Sequence, residues 1–370
     1  MDDYRLKLSE ALERIEQVQP DHLDPEEGLV VDIRTSDELA LGLIPNATVL
    51  PASRLAESVA SLTHDRGERI VLYCAVGERS AIAAADLMDA GYTNVASLAG
   101  GIKRWMALGH PTESSSGLNA STRHRYARHL VLPQVGIAGQ STLLNARVLI
   151  VGAGGLGSPA ALYLAAAGVG TIGLIDDDDV DVSNLQRQIL HTTSAAGTPK
   201  TASAAQRLGE LNPDVRVVPH QTRLVAANAL EIMSGYDIAV DATDNFASRY
   251  LLNDASMHLD IPVVHGSVFR FEGQVAVFRP HDSACYRCVF PAPPPADLAP
   301  DCAQAGVFGV LPGVIGTLQA TEVLKLILSI GEPLVGKMLT YDALSQSTYT
   351  LRLKRRDDCP ACGGPPPALG

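Results

Sequence analysis

The sequence predicts an α/β protein built as two successive domains, and three observations carry that reading. Short apolar runs of strand length alternate along the chain with stretches of helical length, the order that produces sheets flanked by helices. The runs form two groups separated by Thr112–Ser121 (Thr-Glu-Ser-Ser-Ser-Gly-Leu-Asn-Ala-Ser), a polar, small-residue stretch with linker composition. The chain has 370 residues and is 46% hydrophobic, which supplies apolar material for two cores. The expected domains are residues 1–111 and 122–370, joined by 112–121.

In the first domain, Gly28–Arg34 is a strand ending in charge and Ile70–Cys74 is a second. Ser80–Ala90 has helical patterning, and Val95–Leu98 is a further strand. The second domain opens with a helix over Arg125–Leu130. A buried strand follows at Arg147–Val151, then a helix over Leu156–Ala167 and a strand at Thr171–Ile175. Later strands are expected at Val215–Pro219, Ile238–Asp241, Pro262–His265 and Gly273–Arg279. Pro291–Pro300 is too rich in proline for a regular element, and Gly313–Ile330 has the pattern of a long apolar helix.

A net charge of −12 argues against direct binding of nucleic acid or an anionic membrane. The start, Met-Asp-Asp-Tyr-Arg, lacks the regions of a signal peptide. The apolar stretch Val148–Ile175 is interrupted by glycines and reads as strand, turn, helix and strand rather than a membrane span. Paired cysteines without a secretory signal suggest a reducing, cytoplasmic setting.

All six cysteines fall where sulfur does chemistry. Cys285/Cys288 and Cys359/Cys362 form two C-x-x-C pairs, the ligand spacing of a tetrahedral zinc site, here a clasp that pins the C-terminal tail; two redox pairs are the alternative. Cys302 stands alone after the Pro-rich loop, close to flexible glycines; a buried, inert thiol is its plain alternative. Cys74 ends a strand and Ser80 opens a helix, so the N–H groups of the intervening loop curl around the sulfur. Such a nest lowers a thiol pKa and suits an anionic persulfide. The Cys74-x-x-x-x-Arg79 ring is of a size for sulfur, while Glu78 disfavours free thiosulfate as donor.

Gly152-Ala153-Gly154-Gly155-Leu156-Gly157 matches G-x-G-x-x-G between a strand and a helix. Glycine permits the tight turn there and lets phosphate approach the helix N-terminus. Asp176 closes the next strand, where an acid can hold ribose hydroxyls. Taken alone, the motif fits a dinucleotide-binding dehydrogenase. Ser183-Asn184-Leu185-Gln186-Arg187-Gln188, Lys200 and Asp244-Asn245 point elsewhere: cations near phosphates offset charge that grows during attack at phosphorus, and an Asp at a strand end suits Mg²⁺. Solvated surface charge is the plain reading of Arg187 and Lys200. His191, His265 and His281 fit hydrogen-bonded structure better than metal ligation, Trp105 fits a core position, and Gly363-Gly364 a terminal tail.

Taken in order, Arg125-Tyr126-x-Arg128, Gly-Ala-Gly-Gly-Leu-Gly, Ser-Asn-Leu-Gln-Arg-Gln, Pro199-Lys200, Asp-Ala-Thr-Asp-Asn, Phe271-Glu272-Gly273-Gln274, Cys-Tyr-Arg-Cys and the final Cys-x-x-Cys-Gly resemble the MoeB/ThiF family, relatives of ubiquitin-activating enzymes. The resemblance covers roughly Thr122–Gly364. It implies a Rossmann-like domain with a mixed sheet and a C-terminal zinc clasp. It also implies adenylation of the C-terminal glycine of a ubiquitin-like sulfur carrier of the MoaD or ThiS kind, ending in Gly-Gly. By position, Gly152, Gly154, Gly155, Gly157, Asp176, Ser183, Asn184, Leu185, Gln186, Arg187, Lys200, Asp244 and Asn245 correspond to the ATP·Mg²⁺ site. Arg128 corresponds to an arginine that crosses a homodimer to the phosphates, and Cys302 to a cysteine that joins the activated carrier. Val31-Asp32-Ile33-Arg34, Gly42-Leu43-Ile44-Pro45, the Cys74 loop and Leu98-Ala99-Gly100-Gly101-Ile102-x-x-Trp105 make residues 1–111 resemble a rhodanese domain, with Leu43 where histidine is usual. Together these imply an enzyme that adenylates a carrier and gives it sulfur, most directly for molybdopterin and alternatively for thiazole, tRNA thiolation or a secondary metabolite. A cysteine desulfurase is the implied sulfur source. A nicotinamide-dependent oxidoreductase with a regulatory domain is the reading from a different class.

Overall fold

The computed structural model describes residues 2–35, 38–39, 42–112, 118, 120–293, 306–364, 367 and 369. Cys302 and most of the Pro-rich loop lie outside them. The chain divides into two compact units, Met1–Ala138 and Gly139–Gly370.

The first unit runs α1 (Asp2–Arg14), β1 (Glu16–Val18), β2 (Leu29–Asp32), β3 (Thr48–Val49), α2 (Leu55–Leu62), β4 (Ile70–Tyr73), α3 (Glu78–Asp89), β5 (Val95–Leu98), α4 (Gly101–Ala107), α5 (Ala120–Arg125) and α6 (Ala127–Leu130). Its sheet has the order β1-β5-β4-β2-β3, and every pairing is parallel. Ile70, Val71, Leu72 and Tyr73 of β4 are all buried, as a central parallel strand covered on both faces requires. Trp105 is buried in the core beside Val71 and Ile102. The helix expected over Arg125–Leu130 is interrupted at Tyr126, which is buried between α5 and α6.

Under this sheet a charged pair is fully enclosed. Arg34 grips Asp32 through Nε (2.9 Å to each carboxylate oxygen) and Nη2 (2.6 Å). The same guanidinium donates to the carbonyls of Glu38 at 2.8 Å and Gly42 at 2.6 Å. A buried carboxylate is tolerated here because a buried cation meets it in a forked geometry.

The second unit follows as α7 (Gly136–Asn145), β6 (Arg147–Val151), α8 (Gly157–Ala167), β7 (Thr171–Ile175), α9 (Lys200–Leu211), β8 (Arg216–His220), α10 (Ala226–Met233), β9 (Ile238–Asp241), α11 (Phe246–Leu259), β10 (Val263–Phe269), β11 (Glu272–Phe278), α12 (Tyr286–Val289), α13 (Leu311–Leu328), β12 (Lys337–Asp342) and β13 (Ser347–Arg352). Its eight-stranded sheet is mixed: β8-β7-β6-β9-β10 run parallel, and β10-β11-β12-β13 continue antiparallel. α13 is long and apolar enough to cross a bilayer by length and composition. Here its Leu311, Ile315, Ala320 and Val323 sit in the core with β6, β7, β9 and α8.

The chain order reverses between β6 and β9. In open α/β sheets the crevice outside the carboxyl ends of two such strands is where ligands bind. Gly152 leaves β6 with φ +101°, and a Cβ on it would stand 2.6 Å from the carbonyl oxygen of Ala242 beyond β9. Only glycine allows the two loops to approach so closely.

Candidate active sites

A cleft opens at this switch point. It is lined by Gly152, Gly154 and Gly155 from the β6 loop, Asp176–Asp178 after β7, and Arg187, Gln188 and Lys200. Thr222–Leu224, Thr243–Asn245, Ser248 and Arg249 close the other side. Of the residues expected at a nucleotide site, eight therefore share one cavity: Gly152, Gly154, Gly155, Asp176, Arg187, Lys200, Asp244 and Asn245.

The rest do not line it. A Cβ at Gly157 would fall 1.9 Å from the Gly152 carbonyl oxygen, so this glycine seats α8 against the loop. Ser183 donates its N–H to Asp181 at 2.7 Å, and Asn184 accepts from Arg187 Nη2 at 2.8 Å, which aims the guanidinium. Gln186 packs where Gly309 leaves room. Leu185 caps the short turn formed by Val182–Asn184.

Asp176 has two bonds that organise the loop. It accepts the Ala153 N–H at 2.8 Å and the Asp178 N–H at 2.9 Å. Burial raises its pKa against the pull of Lys200 and those N–H groups. Lys200 is buried at the start of α9, with Nζ 2.7 Å from Asp178 and 3.8 Å from Asp176. A phosphate entering the cleft must compete with Asp178 for this ammonium. Asp244 is exposed in the cleft and makes no hydrogen bond or ion pair among the described residues, so its carboxylate is available to a cation. Asn245 instead caps α11, accepting from Ser248 N–H at 2.9 Å.

Three features here were not read from the sequence. Arg249 lines the cleft from the first turn of α11, donates to the Thr243 carbonyl at 3.0 Å, and has a buried Nε with no partner among the described residues. Its signal was position alone, one turn into a helix that starts at Asn245. The Asp241 carboxylate, at the end of β9, is buried against His265 Nδ1 at 2.7 Å and the Thr243 hydroxyl at 2.6 Å. Burial acts to raise its pKa, but the His265 contact leads the opposing effects and the net shift is downward. Gln319 of α13 donates to the Asp241 carbonyl at 2.7 Å. His191 is hydrogen-bonded structure, touching Ser203 at 3.0 Å and the Ala153 carbonyl at 2.9 Å.

The four paired cysteines converge. Their sulfurs lie within 4.8 Å of one another, with 3.8 Å between Cys285 and Cys288, 3.6 Å between Cys285 and Cys359, and 3.3 Å between Cys288 and Cys362. These separations are too long for disulfides. They approach the edge of about 3.8 Å that a tetrahedron with ~2.3 Å zinc–sulfur bonds requires. The set fits one tetrahedral metal and joins residues 74 apart in sequence.

In the first unit Cys74 follows β4 and is fully buried. Its sulfur accepts the Gly77 N–H at 3.2 Å and lies 3.5 Å from the Ser80 hydroxyl. Burial raises the thiol pKa, yet the Ser80 hydroxyl and the N–H groups of Ser80, Val76 and Gly77 outweigh it, and the net shift is downward. Arg79 is held by Glu38 through contacts of 2.9 and 2.5 Å. The Arg79 contact, ahead of two from Thr35, holds the Glu38 carboxyl down to about 2. Arg128 is exposed on α6.

Comparison with known proteins identifies both regions of the chain. Residues 126–361 match the ThiF family and residues 8–108 the rhodanese-like domain. A sulfur carrier protein adenylyltransferase from Thermus thermophilus is 53% identical over 248 residues, covering 65% of this chain and 91% of that protein. The SAMP-activating enzyme E1 of Haloferax volcanii is 50% identical over 246 residues, covering 66% and 91%. A probable adenylyltransferase/sulfurtransferase MoeZ of Mycobacterium tuberculosis is 46% identical over 252 residues, covering 67% and 64%. The crystal structure of E. coli MccB with ATP shares the fold, with a TM-score of 0.58 at 23% identity over 68% of this chain and 77% of that one. The chain belongs to the ThiF family, as an adenylyltransferase with a rhodanese-like sulfurtransferase domain ahead of its ThiF region.

Proposed function

We propose that this enzyme uses ATP to adenylate the C-terminal glycine of a small ubiquitin-like sulfur carrier and then replaces AMP with sulfur delivered from Cys74. The observation that carries the proposal is the joint placement of Arg187, Lys200 and the unpartnered Asp244 around the Gly-rich loop at the switch point. The names of the Thermus and Haloferax relatives support a carrier substrate.

In the first step the carrier carboxylate oxygen attacks the α-phosphorus, the α–β bridging bond breaks, and pyrophosphate leaves. Arg187 and Lys200 offset the charge that builds on the phosphates. Asp244 would hold Mg²⁺, which supplies further neutralisation there. Arg128 is proposed to act across a homodimer on the other copy's nucleotide. In the second step the outer sulfur of a Cys74 persulfide attacks the acyl carbon and AMP departs, leaving an acyl disulfide. A thiol, assigned to Cys302, then attacks the Cys74-side sulfur of that disulfide and releases the thiocarboxylate. A cysteine desulfurase is the proposed persulfide source. Zinc on Cys285, Cys288, Cys359 and Cys362 would supply a cross-link and does not touch the reacting atoms. We take residues 1–111 as the sulfur-donating domain and 122–370 as the adenylating one, in the cytoplasm and serving molybdopterin assembly. Thiazole, thiolated tRNA and secondary-metabolite carriers are the other outcomes when the copurifying Gly-Gly protein is identified.

The test is ATP–pyrophosphate exchange with a Gly-Gly-ended carrier. Asp244→Ala should abolish exchange, and Lys200→Ala should lower it about 100-fold. Cys74→Ala should leave exchange intact and stop thiocarboxylate formation. No exchange with any such carrier, together with thermal stabilisation by a nicotinamide dinucleotide and none by ATP, overturns the proposal.

A further inference from the structure

The loop between the first two clustered cysteines also contacts the helix that borders the cleft. Tyr286 and Arg287 fill the interval of the first C-x-x-C pair, and both dock on the far half of α11. The Tyr286 N–H donates to Asn253 Oδ1 at 2.8 Å. Arg287 forks onto Asp254 at 2.7 and 2.6 Å. Met257, one turn on, packs in the same cluster as the four cysteines. The near end of this helix is the cleft wall, where Asn245 caps it and Arg249 faces the cavity. Fourteen residues at ~1.5 Å each make a rod about 20 Å long, so tilting one end moves the other.

A side-chain route runs parallel to the rod. The Tyr286 ring meets the His265 ring edge-on, with centroids 5.3 Å apart. His265 holds Asp241, and Asp241 fixes both the N–H (3.1 Å) and the hydroxyl (2.6 Å) of Thr243. Thr243 immediately precedes Asp244 and gives its carbonyl to Arg249. All of Asp241, His265 and Tyr286 are at most 3% exposed, so the contacts have little room to adjust independently.

We propose that the four-cysteine centre is energetically coupled to the nucleotide cleft, with Tyr286 and His265 as positioning residues, so that metal on the cysteines tightens nucleotide binding. The inference rests on the nucleotide reading of the cleft. Coupling is reciprocal, so bound nucleotide must tighten the metal by the same factor.

The experiment uses the full-length, zinc-loaded protein. A zinc-selective chelator is titrated with and without saturating ATP, and metal release is followed by an indicator dye. Calorimetry in parallel verifies that ATP is bound. ATP should raise the chelator concentration at half-release about tenfold. In His265→Gln, which leaves every cysteine and α12 intact, the shift should shrink to under twofold while one zinc per chain is retained. Tyr286→Leu serves as the second variant, with the same expectation. Identical release curves with and without bound ATP in the unmodified protein overturn the coupling and leave the nucleotide reading standing. A full tenfold shift that survives in whichever variant folds removes the positioning role from that residue. Failure to bind ATP at all refutes the nucleotide reading, and the coupling with it.

Discussion

At Cys74 two opposed effects meet. Enclosure disfavours the thiolate, while the Ser80 hydroxyl and the N–H groups of Ser80, Val76 and Gly77 favour it more strongly. Ser80→Ala removes the largest of the favourable contributions. The pH midpoint for alkylation of Cys74, followed by mass spectrometry of its peptide, should therefore move upward. The cost in stability should be about 1 kcal/mol, because the same hydroxyl also bonds Ser97. Glu38 gives a prediction of the other sign. Its carboxyl lies near 2 in the folded protein against an ordinary 4.5. The stabilisation from its pair with Arg79 is thus complete above the ordinary value and disappears as pH falls through 2. Alkylation of Cys74 should show no acid-side inflection from Glu38 between pH 5 and 8. Cys74, Arg79, Lys200 and Asp244 were legible because each sits at a fixed spacing within a local motif. Glu38 and Arg249 were not. Glu38 reaches its partner across 41 residues, and nothing near it in sequence reports the meeting.

Among the elements, the parallel strands were the clearest in the sequence. Burial on both faces makes strands such as Arg147–Val151 and Ile238–Asp241 into continuous apolar runs. β13 left no such trace: every one of its six residues is exposed, so it lacks the alternation that marks a half-buried strand. α11 was also missed. It mixes Asn253, Asp254 and Ser256 into its buried set, because the first C-x-x-C loop docks there through polar bonds. The Gly-rich loop offers a contrast between neighbours. Gly157→Ala places a Cβ 1.9 Å from backbone oxygen, whereas Gly155→Ala meets side chains alone, the Pro312 ring at 3.1 Å and Arg187 Cγ at 3.5 Å. The first should cost about 1–3 kcal/mol in chemical denaturation. The second should cost well under half as much and instead weaken ATP binding, because Gly155 lines the cleft.

For the molecule as a whole, each unit has its own apolar core. Val31, Ile70, Leu72 and Leu87 form part of one, and Val148, Ile150, Leu174 and Val323 part of another. The piece spanning residues 1–111 should therefore unfold cooperatively when produced alone, as judged by thermal circular dichroism. The C-terminal tail depends on the cysteines. Cys359→Ser should abolish binding of the proposed metal and release residues beyond β13 to protease, while the first unit's transition stays unchanged. Two α/β units were legible from the alternation of strand-length and helix-length runs; the sequence puts their junction at Thr112–Ser121, whereas the compact units meet between Ala138 and Gly139, so α5 and α6 group with the first. The cleft was legible only in outline, since its far wall is assembled from segments nearly 100 residues beyond the Gly-rich loop.

Arg34 spans the carbonyls of Glu38 and Gly42 from below, and Glu38 in turn reaches up to Arg79. One guanidinium therefore fixes how far apart those two carbonyls stand. Adding or deleting a residue between Asp32 and Gly42 would leave the fork unable to touch both carbonyls, and the error would surface at the sulfur. Loop grafting onto this scaffold should preserve that interval.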